Sequence, residues 1–282
     1  MRPTTQRSVF VVAVVGGATV FVAPAALGAG SIFLTGHDPD FHAYVGITFD
    51  FGNGPGAVRI NQAAISFIQD PGFNPFVGAA PKFLFVESSL SPPGHVDGEL
   101  GIVLSGYTAG VNYDKADAST LNGALNLLGV PGGYSAIVVA SDFGGILSQA
   151  ELDILNARQA DIGSFINAGG GLYAMAEGNN GTHLTPNGGW FEFVPGLLTS
   201  TAFNQTEFGI TVTPFGASLG LTNDDVNGNA SHNIFLNIGG LSPVDIDSQG
   251  NFLSVAGRIN VPAPGAAGLL ALVGLAAVRR RR

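Results

Sequence analysis

Cysteine is absent from the 282-residue chain. That excludes disulfides and thiol nucleophiles, and it leaves the redox compartment unreported. Charge is scarce as well, at 11% of residues against about 25% in an ordinary globular protein. Basic residues are the rarer kind, and six of the eleven sit at the extremities: Arg2, Arg7, Arg279, Arg280, Arg281 and Arg282. All twenty acids lie between Asp38 and Asp247, and the only bases of residues 29–260 are Arg59, Lys82, Lys115, Arg158 and Arg258, so that stretch carries a formal −15. Nucleic acid is excluded as a partner, because phosphate binding wants clustered Lys and Arg. Cations, neutral glycans or basic surfaces suit such a body, and solubility alone is the plainer consequence of its charge. One fingerprint is missing too. No G-x-G-x-x-G follows a strand, and Gly169-Gly170-Gly171 precedes a strand rather than a helix, so no phosphate cradle is written here.

What is abundant is apolar residue, 46% of the chain, and glycine, at 42 positions. Both extremities use this material as addresses rather than as fold. Residues 1–28 have a basic start, an apolar run from Val9 to Val22 and then small residues, with cleavage after Ala25 or Gly28 fitting the small–x–small rule. This is an export signal, a helix removed from the mature protein. At the other end, residues 261–282 read VPAPGAAGLLALVGLAAVRRRR. The apolar part from Gly265 to Val278 spans about 21 Å as a helix, short of a roughly 30 Å hydrocarbon core, and Val261 to Pro264 bring it closer to spanning. Arg279, Arg280, Arg281 and Arg282 would be costly to bury in a core, but they suit a stop-transfer end held on the cytoplasmic side. Pro262 and Pro264 keep the stretch before the helix extended.

The order Val261-Pro262-Ala263-Pro264-Gly265, apolar helix, arginine cluster resembles the PEP-CTERM sorting tail, with Ala263 where that family has Glu. The resemblance implies an exosortase-type membrane protease as partner, transient anchorage through the C-terminal helix, and delivery to the cell envelope or the extracellular matrix, where exopolysaccharide is a further expected partner.

Between the ends, residues 29–260 read as one α/β domain. Strand runs at SIFLTG (31–36), KFLFVES (82–88), GVNYD (110–114), YSAIVVAS (134–141) and GGLYAMA (170–176) alternate with helical patterns at 57–69, 97–106, 117–129 and 148–170. In the first of these helices Ala57, Ile60, Ala64 and Phe67 share a side; in the last, Ser148 and Glu151 form a capping box and Leu152, Leu155, Ile162 and Phe165 the apolar face. Asp117 is read as an N-cap. The β-branched fourth run is the mark of a strand buried on both faces. The expectation is a flavodoxin-like, mainly parallel sheet flanked by helices. Residues 177–260 read as Gly/Asn-rich loops with strands only at 209–214 and 252–259. The segments LTGHDPDFHA, AIVVASDFGG and GGGLYAMAEG resemble the class I glutamine amidotransferase-like fold, its trehalose-utilisation-type members in particular. Catalytic members carry a Cys at the turn that is Ala176-Glu177-Gly178 here, so the resemblance implies the fold and not thiol-based amide hydrolysis.

Ligands of such sheets gather beyond the carboxyl ends of the strands. There GHDPDFH places His37, Asp38, Asp40 and His42 within six residues, a donor set suited to zinc, manganese or iron. Its plain alternative is a turn with Asp38 bonded to its own backbone. Glu177 at the elbow completes this candidate rim as a general base. Asn223, Asp225 and Asn227 before Gly228 echo the start of a calcium loop, but Ile234 stands where the bidentate Glu belongs, and an Asx-rich turn is the alternative. His183 and His232 are isolated and read as structural. The sequence thus points to an exported surface or matrix component, non-catalytic and glycan-binding. A metal-assisted hydrolase of extracellular carbohydrate derivatives, centred on GHDPDFH, is the rival reading, and a purely structural coat protein the third.

Overall fold

The apolar runs become strands because each buries both faces and satisfies its backbone only in a ladder. The structure, a computed structural model, describes residues 29–89, 97–142, 144–176, 193 and 199–260. The export signal and the sorting tail lie outside these residues. Five strands, β1 (Gly30–Thr35), β2 (Lys82–Val86), β3 (Tyr113–Ala116), β4 (Tyr134–Val139) and β5 (Gly171–Ala174), run parallel in the order β3-β2-β4-β5-β1. β1, β4 and β5 are buried along their whole length. Phe33 of β1 meets Tyr173 of β5 edge to face at 5.5 Å, a geometry aromatic quadrupoles favour.

The sheet does not stop at β1. β10 (Phe252–Ile259) pairs with it antiparallel from Gly30↔Ile259 to Thr35↔Ser254. β8 (Ser231–Ile238) and β6 (Thr199–Thr206) extend it further, while β9 (Ser242–Ile246) joins β10 to β7 (Thr211–Val212). The result is a mixed α/β protein on one ten-stranded sheet. The parallel half fits the expectation from the N-terminal runs. The antiparallel half grows from a stretch that reads mostly as loop: within 199–260, strands β6, β8 and β9 emerge where the sequence shows Asn and Ser in place of a clean alternation.

Helices α1 (Pro39–Phe49), α2 (Gly54–Ile68), α3 (Glu99–Leu104), α4 (Leu121–Leu125), α5 (Gln149–Ala157), α6 (Gln159–Asn167), α7 (Pro214–Ser218) and α8 (Asn223–Val226) fill the connections. α2 buries Ala57, Ile60, Ala64 and Phe67, the face its spacing predicts. The helix expected over 148–170 is two, α5 and α6, divided at Arg158, whose guanidinium reaches the Asn122 carbonyl at 3.0 Å and Asp161 at 2.6 Å. The Glu151 carboxylate accepts the Ser148 N–H at 3.1 Å, so the capping box forms. Asp117 does not cap α4 directly. Its carboxylate accepts the Ser119 N–H at 3.0 Å in a turn one step earlier, and Thr120 takes the cap position. Among the described residues, no helix is long and apolar enough to cross a membrane.

Candidate functional site

The chain leaves β1 through Gly36, and this glycine has no room for a side chain. A Cβ there would lie 2.2 Å from the Asn233 carbonyl oxygen. Gly36 instead donates its N–H to Leu253 of β10 at 2.7 Å and accepts the His232 N–H of β8 at 2.6 Å. The carboxyl end of β1 is thereby locked to the antiparallel half. Pro39 then opens α1, a position where its missing N–H is no loss. The GHDPDFH stretch is therefore a strand end and a first helical turn, not a free loop.

That turn separates four neighbouring side chains by direction. His37 points into the antiparallel half. Its Nδ1 meets the Asn229 carbonyl at 3.0 Å and its Nε2 meets Asp245 of β9 at 3.1 Å. A carbonyl and a carboxylate only accept, so both ring nitrogens donate and the ring is an imidazolium. Burial alone would lower the His37 pKa, but Asp245 outweighs it and the net direction is upward. Asp40 points the other way, toward the end of β4. Its carboxylate accepts the Ser141 N–H at 2.9 Å and the Ser141 hydroxyl at 2.8 Å. Burial, reinforced by Asp38, pushes its carboxyl up to about 6.

Asp38 and His42 remain, one turn apart and therefore on one face. His42 Nε2 lies 3.3 Å from Asp38 Oδ1. His232 Nε2, brought in by β8, lies 3.3 Å from the same oxygen. All three side chains are buried, and their ligand atoms fall within 4.8 Å of one another. Asp38 is the N-cap residue of α1, yet its side chain makes no capping bond. Neither of its oxygens accepts an aligned hydrogen bond among the described residues, although both are buried. Burial would raise this carboxyl, but the His232 and His42 imidazoles more than offset that and hold it below the usual range. With metal–ligand bonds of roughly 2.0–2.1 Å, two ligands of a tetrahedral centre stand about 3.3 Å apart. Two edges of the triangle match that spacing. Asp38, His42 and His232 can hold a divalent ion and leave its fourth side open.

That side faces a pocket of about 470 Å³. Phe41, Phe51 and Ala230 give it an apolar wall, and Gln205 and Glu207 a polar one. Phe51 is 61% exposed, and its ring lies parallel to His42 with centroids 6.2 Å apart. A second groove, about 420 Å³ beside α4 and α6, holds Arg158 and Asp161, which pair with each other, and gathers no comparable set of ligands.

The structure distributes the sequence candidates unequally. It joins Asp38 and His42 but sends His37 and Asp40 into separate bonds. It adds His232, read from sequence as structural; 190 residues of chain separate it from His42, and no local pattern connects them. Glu177, His183, and the sorting residues Val261, Pro262, Ala263, Pro264 and Gly265 with the terminal arginines lie outside the described residues. Asn223, Asp225 and Asn227 each give a side-chain oxygen to a backbone N–H, as in the Asx-rich turn. Asn223 accepts the Val212 N–H at 2.8 Å, Asp225 the Thr222 N–H at 2.8 Å and Asn227 the Ile210 N–H at 3.0 Å. They knit a short helix to β7. At the ends of β2 and β3, where a parallel sheet often takes ligands, the N-terminus of α3 sits instead: Glu87 accepts the Gly98 N–H at 2.7 Å and the Glu99 N–H at 3.2 Å. No protein-family model, no curated protein and no solved structure matches this chain.

Proposed function

We propose that the protein is an exported envelope or extracellular component whose body binds one divalent metal ion through Asp38, His42 and His232 and uses it as a hydrolase of carbohydrate derivatives. The observation that carries this reading is the pair of 3.3 Å approaches to one buried carboxylate oxygen that neither caps its helix nor accepts an aligned hydrogen bond. Imidazole and carboxylate ligands with an open fourth position suit zinc, which lowers the pKa of a bound water to about 7 and supplies a nucleophile at neutral pH. The second reading, non-catalytic glycan binding, draws on the exposed Phe51 beside the same pocket, an apolar ring face on which a sugar can rest.

The export route rests on residues 1–28 and 261–282 as read from sequence, with an exosortase-type protease as the processing partner. For the fold, the order β3-β2-β4-β5-β1 supports the flavodoxin-like reading: counted from β2, it follows the doubly wound order 2-1-3-4-5, with β1 in the fifth place. The amidotransferase-like resemblance rests on its sequence segments.

Elemental analysis of the purified protein tests the centre. One zinc, manganese or iron per chain is expected, and His232→Ala is expected to lose it while keeping the parent's circular dichroism. A parent protein without stoichiometric metal would end the proposal. Stoichiometric metal without hydrolysis of any carbohydrate derivative would leave the binding reading in its place.

A further inference from the structure

Hydrolysis by a metal-activated water takes one of three courses, at phosphorus, at an anomeric carbon or at an acyl carbonyl, and each needs different neighbours. Phosphoryl transfer needs cations around the transferring group. None of the described residues lining the pocket is Lys or Arg. Lys82, Lys115, Arg158 and Arg258 are ion-paired elsewhere, and Arg59 is exposed on α2. Glycosidic cleavage by the usual route needs two carboxyls free to act. Among the described residues of the pocket the acids are Asp38, engaged as a ligand, and Glu207.

Acyl hydrolysis needs less: one metal to polarise the carbonyl and activate water, one carboxylate to move the proton, and an apolar wall for the acyl group. The pocket has the residues for those parts. The Glu207 carboxylate has no hydrogen-bond or ion-pair partner among the described residues. Its main chain is held: the Glu207 carbonyl accepts the Gly228 N–H at 2.9 Å, and the Gly228 carbonyl accepts the Asn53 N–H at 2.9 Å. This chain of bonds ties Glu207 to the segment that carries Phe51, so the polar and apolar walls keep a common frame.

Resting on the metal centre proposed above, we infer that the pocket hydrolyses neutral N- or O-acyl groups with Glu207 as the catalytic proton acceptor. The water oxygen bonds to the acyl carbonyl carbon while one water proton passes to Glu207. The C–N or C–O bond then breaks, and Glu207 returns the proton to the departing nitrogen or oxygen. The products are a carboxylic acid and a free amine or alcohol.

The test uses the full chain loaded with zinc and four chromogenic probes: p-nitrophenyl acetate, p-nitroacetanilide, bis(p-nitrophenyl) phosphate and p-nitrophenyl glucoside. Chelator-sensitive cleavage of the two acetyl probes is expected, with the phosphate and the glucoside untouched. Glu207→Gln is expected to keep one zinc per chain while kcat/KM for the acetyl probes falls about 100- to 1000-fold. His232→Ala is expected to lose both metal and activity. If zinc fails to bind the parent chain, the metal centre itself is refuted and the inference falls with it. If zinc binds but Glu207→Gln stays as active as the parent, the phosphate or glucoside is the preferred probe, or no probe is cleaved, the metal centre stands and the acyl assignment is overturned.

Discussion

A carboxyl shut away from water must be paired or neutral, and the fold pushes Glu87 toward the neutral form. Burial, then Asp97 and Asp40, push it up to about 9, against the pull of Lys115 at 3.4 Å. Asp97, Glu99 and Lys115 complete its surroundings, with Lys115 3.0 Å from Glu99 and 3.3 Å from Asp97. The folded chain therefore holds a proton on Glu87 more tightly than the unfolded chain, whose value is near 4.5. Stability attached to this group is full below pH 4.5 and declines as pH rises toward 9, because the unfolded state releases the proton first. Glu87→Gln mimics the protonated acid and offers an amide N–H to Asp97. Urea melts between pH 5 and pH 9 are expected to show a flatter pH profile for this variant than for the parent. Equal slopes in the two proteins would mean that Glu87 ionises in the fold. Nothing in the stretch KFLFVES marks Glu87 as different from any acid after a strand. Its protonation depends on α3 closing over it, and a sequence does not display that closure.

At the scale of elements, the unit β1–Gly36–α1 sets the site. Its parts are legible in sequence: an apolar run, a glycine, then histidines and aspartates close together. The helical pitch that begins at Pro39 selects Asp38 with His42 and turns Asp40 aside. The missing ligand comes from β8, and Gly36 is where β8 and β1 touch. Gly36→Ala puts a Cβ into the space of the Asn233 carbonyl and must push β8 outward. Overpacking of this kind costs typically 1–3 kcal/mol. Since His232 rides on β8, zinc affinity is expected to fall roughly ten- to a hundredfold. Competition titration with a chromogenic chelator measures it, and unchanged affinity with native circular dichroism would show that His232 is positioned independently of Gly36. The helix over 148–170 teaches a related lesson. Its apolar face is correctly read, and Leu152, Leu155, Ile162 and Phe165 are all buried. The break at Arg158 is not, because the guanidinium takes up partners on α4 that local periodicity does not contain.

At the scale of the molecule, the sheet also fixes where its ends leave. Gly30 pairs with Ile259, so the segments before 29 and after 260 depart side by side from one end of β1. Asp38 follows the opposite end of the same strand. Mass spectrometry of the mature protein is expected to find an N-terminus after Ala25 or Gly28 and a C-terminus near Pro264. Recovery of a chain that still ends at Arg282 would contradict the sorting reading. The two extremities, the anionic body, the absence of thiol chemistry and the five parallel strands are all written locally, in runs of apolar residues, in charge and in what is missing. Local patterns suffice for these because each depends on neighbours a few positions away. The antiparallel half, the protonation of Glu87 and the meeting of His232 with Asp38 and His42 were decided only by tertiary structure. They depend on strands from distant parts of the chain lying side by side, and the energy that aligns them comes from burial and backbone pairing across the whole sheet rather than from any one segment.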